Sequence, residues 1–367
     1  MEAGTPTPRI AIVGSGFGGI GMACRLRQAG IETFTIYEKA DAVGGTWRDN
    51  TYPGAACDVP SHLYSLSFAP KTDWTRKFPE QPEILGYLKE VTDRFGLRPH
   101  LRLGTELTAA TWNDDGQRWE LRFADGTTDH ADVVVAATGQ LNRPQIPDIA
   151  GLDRFEGTAF HSARWDHQHD LAGRDVAVIG IGASAIQFVP EIAKDAGALT
   201  LFQRSSNFVA PKPDAVFSEA ARERFARHPL LQKLYRFSIW ARFDLRWLMF
   251  RQGSRLAAMG EKRFAAELSK AVSDDLPKFD LLGEDRQLLD QDRRLDRVEA
   301  RVHADAGVQV LRVMIEGLAG QVRADGLAVD AIAVHQVPER RVVGQHRPAV
   351  AVAAQRLGRE EARRGDI

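Results

Sequence analysis

Two cysteines, Cys24 and Cys57, are all that 367 residues contain, and they stand far apart with no Cys-x-x-Cys. That excludes a dithiol disulfide reductase of the usual flavin type and suits a reducing compartment, so the expected location is the cytoplasm. Long apolar runs are also missing. The most apolar helical stretch, 231–249, is broken by Lys233, Arg236, Arg242, Asp244 and Arg246 and cannot span a bilayer. The first strand begins near Arg9, which leaves no room for an apolar secretory segment. Neither sign of charge dominates. A net charge of −1 gives no electrostatic reason to expect nucleic acid or an anionic membrane as partner. There is no Gly-x-Ser-x-Gly elbow. His161, His167 and His169 lie close together, but their spacing matches no usual ligand set and no cysteine joins them, so no metal is expected. What remains, 44% hydrophobic and 26% charged residues, is the composition of a globular protein long enough for two domains.

What is present begins with two glycine-rich loops. Arg9-Ile10-Ala11-Ile12-Val13 is a β-branched run, followed by Gly14-Ser15-Gly16-Phe17-Gly18-Gly19 and a helix to about Gln28. The order strand, Gly-x-Gly-x-x-Gly, helix lets a pyrophosphate approach amide groups at the positive end of a helix. A second strand over 33–37 ends in Glu38, where a carboxylate can accept both adenosine ribose hydroxyls. The pattern repeats at 175–179, Gly180-Ile181-Gly182-Ala183-Ser184-Ala185 and a helix over 185–193. Here the strand over 198–202 ends at Gln203-Arg204. A guanidinium in the acid's place clamps a 2′-phosphate, which selects NADPH, with Arg204 and Ser205 as discriminators. An exposed arginine at a strand end is the alternative. Between 106 and 137, Trp119, Leu121 and Phe123 alternate with polar residues and Asp125-Gly126 turns the chain.

Several stretches carry a resemblance. Phe155-Glu156-Gly157-Thr158-Ala159-Phe160-His161-Ser162-Ala163-Arg164-Trp165-Asp166, between the two loops, resembles the Phe-x-Gly-x-x-x-His-x-x-x-Trp-Asp fingerprint of the Baeyer–Villiger monooxygenases. Val43-Gly44-Gly45-Thr46-Trp47 resembles the second glycine pair of two-dinucleotide flavoprotein monooxygenases, and the run from Asn50 through Asp58 to Tyr64 is also close to the family. Ala137-Thr138-Gly139 resembles the turn that brings the chain back against FAD. The resemblance implies FAD and NADPH as cofactors and a ketone and O2 as substrates. One oxygen is then inserted beside the carbonyl through a C4a-peroxyflavin, giving an ester or lactone. It implies FAD contacts from Gly14, Gly16, Gly19, Glu38, Gly45, Thr46, Trp47, Asp58, Tyr64, Thr138 and Gly139. It implies NADPH contacts from Gly180, Gly182, Ala183, Ser184, Ala185, Arg204 and Ser205. His161 and Trp165 would couple domain rotation to oxygenation. Asp58 would tune a catalytic arginine, for which Arg286 is the candidate; taken alone, Asp58 also reads as a turn acid. An N- or S-oxygenating relative, or a nucleotide-binding flavoprotein without oxygenating activity, are the alternatives.

The expected fold is α/β, with two Rossmann-like dinucleotide-binding domains of three layers, a parallel sheet with a small antiparallel excursion, and a helical insertion. Residues 1–142 form the FAD domain, 143–212 the NADPH domain, 213–275 the insertion and 276–367 a divergent tail, with helix expected over 218–271. Apolar stripes in the insertion are expected to pack on the nicotinamide domain, with arginines snorkelling outward; a basic, aromatic helix also suits a membrane surface, so peripheral contact stays open. The tail has no Phe, Tyr or Trp after Phe279, unlike a buried flavin-domain finish. It reads as a truncated or shifted version of a longer ancestor, with 329–334 resembling the start of a return strand.

Overall fold

The computed structural model describes residues 7–140, 142–149, 151–203 and 212–247, positions 255, 258–260, 262 and 266, and three short strands further on. Two compact units result. One comprises Met1–Thr51, Ala56–Arg143 and Asp214–Phe237; the other comprises Tyr52–Ala55, Pro144–Pro213 and Ser238–Ile367.

In the first unit β1 (Ile10–Val13) leads into α1 (Phe17–Gln28) and β2 (Phe34–Tyr37). The short α2 (Thr46–Asp49) and α3 (Gln81–Arg94) follow, then β3 (Leu101–Arg102). Pro82 stands in the first turn of α3, where its missing N–H has no intrahelical partner to lose. Its Ile84, Leu88 and Val91, at helical spacing, are fully buried with Ile12, Ile20, Ile36 and Trp74. Burying each such side chain stabilises the fold by about 1.5–3 kcal/mol. The antiparallel strands β4 (Leu107–Asn113), β5 (Arg118–Phe123) and β6 (Thr128–Ala131) form their own sheet, with Leu121 and Phe123 buried. The turn between the last two uses Gly126 at φ +83°, a conformation that glycine adopts without strain. After β7 (Val133–Ala136) closes the unit, the main sheet runs β3-β2-β1-β7, all parallel. The excursion and the return to a parallel sheet match the alternation in the sequence.

The second unit holds β8 (Thr158–His161), β9 (Asp175–Ile179), α4 (Ala183–Ile192) and β10 (Ala198–Gln203). Val176, Val178, Phe188, Val189 and Leu201 make its core. The helical stretch holds α5 (Glu219–Arg227) and α6 (Pro229–Asp244). With α6 as far as Phe237, α5 belongs to the first unit, where Phe225 and Tyr235 pack on His62, rather than packing on the expected nicotinamide domain. Pro229 disfavours helical backbone at His228, which sits at φ −126°, ψ 80°. Among the described residues no helix is long and apolar enough to cross a membrane.

Three strands come from the tail: β11 (Val298–Val302), β12 (Leu311–Ile315) and β13 (Ala349–Ala353). The sheet order is β12-β11-β10-β9-β13-β8. Its β11 and β12 are antiparallel additions beside β10, and β13 pairs in parallel with both β8 and β9. The sequence pattern singles out none of the three. The return strand expected at 329–334 lies outside the described residues.

Candidate functional site

The first loop is backbone packed on backbone. A Cβ at Gly14, which has φ +103°, would stand 2.5 Å from the Ala137 carbonyl oxygen, and one at Gly19 would stand 1.9 Å from the Gly14 oxygen. Gly45 folds down on the same loop, where its Cβ would come 3.0 Å from Gly16 Cα, and Gly44 N donates to Ser15 O at 3.1 Å. A Cβ on Gly16 would meet Gly45 Cα at only 3.7 Å, an ordinary contact. No side chain caps α1, whose N-cap is Gly16, and no acid stands in its first turn. Its positive end is therefore not neutralised by the helix's own residues, as an anion-binding turn requires.

Glu38 is 4% exposed. One carboxylate oxygen accepts from Ser15 N at 2.9 Å and Ser15 Oγ at 2.8 Å, and the other from Ala40 N at 3.0 Å. Arg48 Nη1 lies 3.1 Å from that second oxygen. Burial pushes the carboxyl up, but those hydrogen bonds and the Arg48 guanidinium outweigh it and hold Glu38 below the ordinary carboxylate range. A buried acceptor that stays ionised suits a ribose diol.

Thr46 and Trp47 begin α2. Trp47 Nε1 donates to Tyr64 Oη at 3.0 Å, and Phe17 meets the Tyr64 ring edge-on at 4.9 Å. The Tyr64 hydroxyl is held above its ordinary value, chiefly by burial. Asp58 is exposed, and its charge reaches Tyr64. Thr138 and the turn residue Gly139, at φ +74°, follow Ala137, whose N donates to Val13 O at 2.9 Å. Thus Gly14, Gly16, Gly19, Gly45 and Glu38 gather around one loop, with Trp47 and Tyr64 joined to each other beside Phe17.

In the second unit Gly180, at φ +99°, donates its N to Phe202 O at 2.7 Å. Gly182 is the N-cap of α4, again with no side-chain cap and no acid in the first turn, and Ala183, Ser184 and Ala185 start the helix. His161, 4% exposed, ends β8; its Nδ1 accepts from Ala163 N at 3.0 Å. That bond puts the proton on Nε2, a buried atom with no partner among the described residues. Burial, helped by Arg164, keeps this ring neutral by lowering its proton affinity. Trp165 packs against Phe160 and Phe188, both at 5.2 Å between ring centroids. Tyr52 Oη donates to Gln187 Oε1 at 3.0 Å, and a Cβ on Gly54 would stand 2.9 Å from the Gln187 carbonyl oxygen. Arg204, Ser205 and Arg286 lie outside the described residues. Ser15, Arg48 and Gln187 escape sequence reasoning, because each acts through a partner at least ten residues away.

Residues 11–230 match the family described as pyridine nucleotide-disulphide oxidoreductase. A Baeyer–Villiger monooxygenase of Streptomyces coelicolor is 50% identical over 266 residues, covering 72% of this chain and 51% of that one. Among solved structures, an oxidized steroid monooxygenase bound to NADP aligns with TM-score 0.56 and 41% identity, over 60% of this chain and 43% of the other. OTEMO in complex with FAD and NADP aligns with TM-score 0.56 and 32% identity, over 61% and 44%. The chain spans about half the length of the curated relatives it matches. With its paired glycine loops and the His161–Trp165 strap, it is similar over about three quarters of its length to Baeyer–Villiger monooxygenases, and it belongs to the pyridine nucleotide-disulphide oxidoreductase family.

Proposed function

We propose that this chain holds FAD on the first loop and NADPH on the second, and that it serves an NADPH-dependent oxygenation that inserts one atom of O2 beside a ketone carbonyl. The observation that carries this is the pair of uncapped glycine-started helices, one opposite a buried ionised Glu38 and the other following the His161–Trp165 strap. When bound, the two cofactors supply hydride transfer and oxygen activation.

The residues of the chain do the rest. The amides at Gly14, Gly16 and Gly19 hold one pyrophosphate and those at Gly180, Gly182 and 183–185 the other. Glu38 accepts from the adenosine ribose. Gly45, Thr46, Trp47 and Tyr64 line the flavin side, with Thr138 and Gly139 at the returning turn. Asp58 bears on the charge there, and Arg204 with Ser205 selects the 2′-phosphate. Arg286 is the candidate cation for stabilising anionic oxygen. His161, donating from Nε2, and Trp165, packed on α4, act as coupling residues rather than as substrate contacts. Two free, buried cysteines fit a reducing compartment such as the cytoplasm.

Purified chain incubated with FAD, NADPH, oxygen and a cyclic ketone tests the reading. A lactone supports it. An N- or S-oxide from amine or sulfide substrates, or hydrogen peroxide alone, replaces it with one of the two alternatives. His161→Ala is expected to keep FAD binding while the ratio of ester formed to NADPH consumed falls by about tenfold, as loss of a gating residue would do. An unchanged ratio removes His161 from the coupling.

A further inference from the structure

The acceptor capacity of Glu38 is full. A carboxylate offers about four lone-pair positions, and Ser15 N, Ser15 Oγ, Ala40 N and Arg48 Nη1 take them. Two of these donors are main chain and fixed in place. The other two are side chains, and a ribose brings two vicinal hydroxyls. The side-chain donors can therefore give way to the diol one for one while the backbone donors keep the carboxylate in place.

Arg48 is not an incidental neighbour. It is 14% exposed, and its Nε and Nη2 hold both oxygens of Asp49 at 2.8 and 3.1 Å. Its Nη1 also donates to Ala42 O at 2.6 Å. Arg48 stays anchored whether or not Glu38 keeps its bond. The charge facing Glu38 comes from Arg48 on α2, with Asp49 behind it, while the first loop contributes Ser15 and β3 only the main-chain oxygen of Arg102. Burial raises the pKa of such a carboxyl; the Ala40 and Ser15 hydrogen bonds lower it first and the Arg48 charge adds to them, and a protonated carboxyl offers a diol fewer acceptors.

We propose that Arg48 is a positioning residue for the first nucleotide site: it keeps the Glu38 carboxylate charged and oriented, and yields its place to the ribose. This rests on the reading of the first loop as the FAD site. The test is titration of flavin-stripped full-length chain with FAD from pH 8 to pH 5, followed by fluorescence quenching. Wild type is expected to bind with an affinity nearly flat over that range. Arg48→Met is expected to lose affinity progressively toward low pH, approaching tenfold per pH unit once Glu38 titrates. Arg48→Lys, which restores the charge, is expected to recover the flat profile, and Glu38→Gln to bind weakly with no slope whether or not Arg48 is present. A parallel profile for wild type and Arg48→Met, or failure of Arg48→Lys to flatten it, overturns the inference while leaving the FAD site standing. Absence of FAD binding by wild type overturns the site itself and this inference with it.

Discussion

Two glycines three residues apart face different constraints. A methyl at Gly19 runs into the Gly14 carbonyl oxygen at 1.9 Å, whereas one at Gly16 finds ordinary contact at 3.7 Å. Gly19→Ala is expected to destabilise the first unit by about 1–3 kcal/mol, the usual cost of forcing atoms into packed space, seen as a lower midpoint in urea. Gly16→Ala is expected to leave that midpoint nearly unchanged but weaken FAD binding, because its methyl fills the cradle. Equal FAD affinity in Gly16→Ala would show that the nucleotide lies elsewhere. Both loops and Glu38 are legible in the sequence because their spacing is local: strand, turn, helix, strand, acid. Arg48 is not, since its role appears only when Gly45 packs on Gly16 and brings α2 over the loop.

At the level of elements, α5 and the first turns of α6 are held to the first unit around one histidine. His62 is 2% exposed and ringed by Phe217, Phe225 and Tyr235, with centroids 5.4, 4.6 and 5.3 Å away. Its Nδ1 lies 3.3 Å from Gln232 Nε2, Arg236 donates to its carbonyl at 2.6 Å, and Nε2 is buried with no partner among the described residues. Burial first, and the Arg236 charge second, push its pKa from 6.5 down to about 4. The sign follows from that direction. Above pH 6.5 the ring is neutral in folded and unfolded chain alike and the stability is whole. Below it the unfolded chain binds a proton that the fold refuses, so stability falls by at most about 1.4 kcal/mol per pH unit until the folded pKa is reached. Protection factors against hydrogen exchange in α5, corrected for the intrinsic rate at each pH, are expected to fall between pH 6.5 and 4.5, and His62→Phe is expected to lose that dependence. An equal fall in His62→Phe would place the titrating group elsewhere. The aromatic content of this stretch shows in the sequence, but its organisation around His62 does not. The ring comes from a loop some 150 residues earlier, and such a pairing has no periodicity to betray it.

For the molecule as a whole, two glycine-rich loops, each placed in its own unit, predict two separable responses if each holds a nucleotide as proposed. A ligand that binds only one folded unit stabilises it by RT ln(1 + [L]/Kd), about 2.7 kcal/mol at a hundredfold excess over Kd. Calorimetry is expected to show FAD raising one thermal transition and NADP+ the other. A single transition lifted by FAD alone, with no response to NADP+, would mean that the second loop holds no nucleotide. The doubling itself is legible in the sequence as one pattern written twice. The tail strands are not, because β11, β12 and β13 are five-residue runs whose place is set by pairing: β11 with β10, β12 with β11, and β13 with β8 and β9.

The membership of Tyr52–Ala55 in the second unit bears on how such proteins can be recombined. This short insert leaves the sequence of the first unit, places Tyr52 on Gln187 and Gly54 against α4, and returns. A chimera cut at residue 143 would transplant the second unit without its own clasp and leave a foreign one in its stead. Exchange of halves between homologues should therefore succeed only when this tetrapeptide travels with the helix it grips.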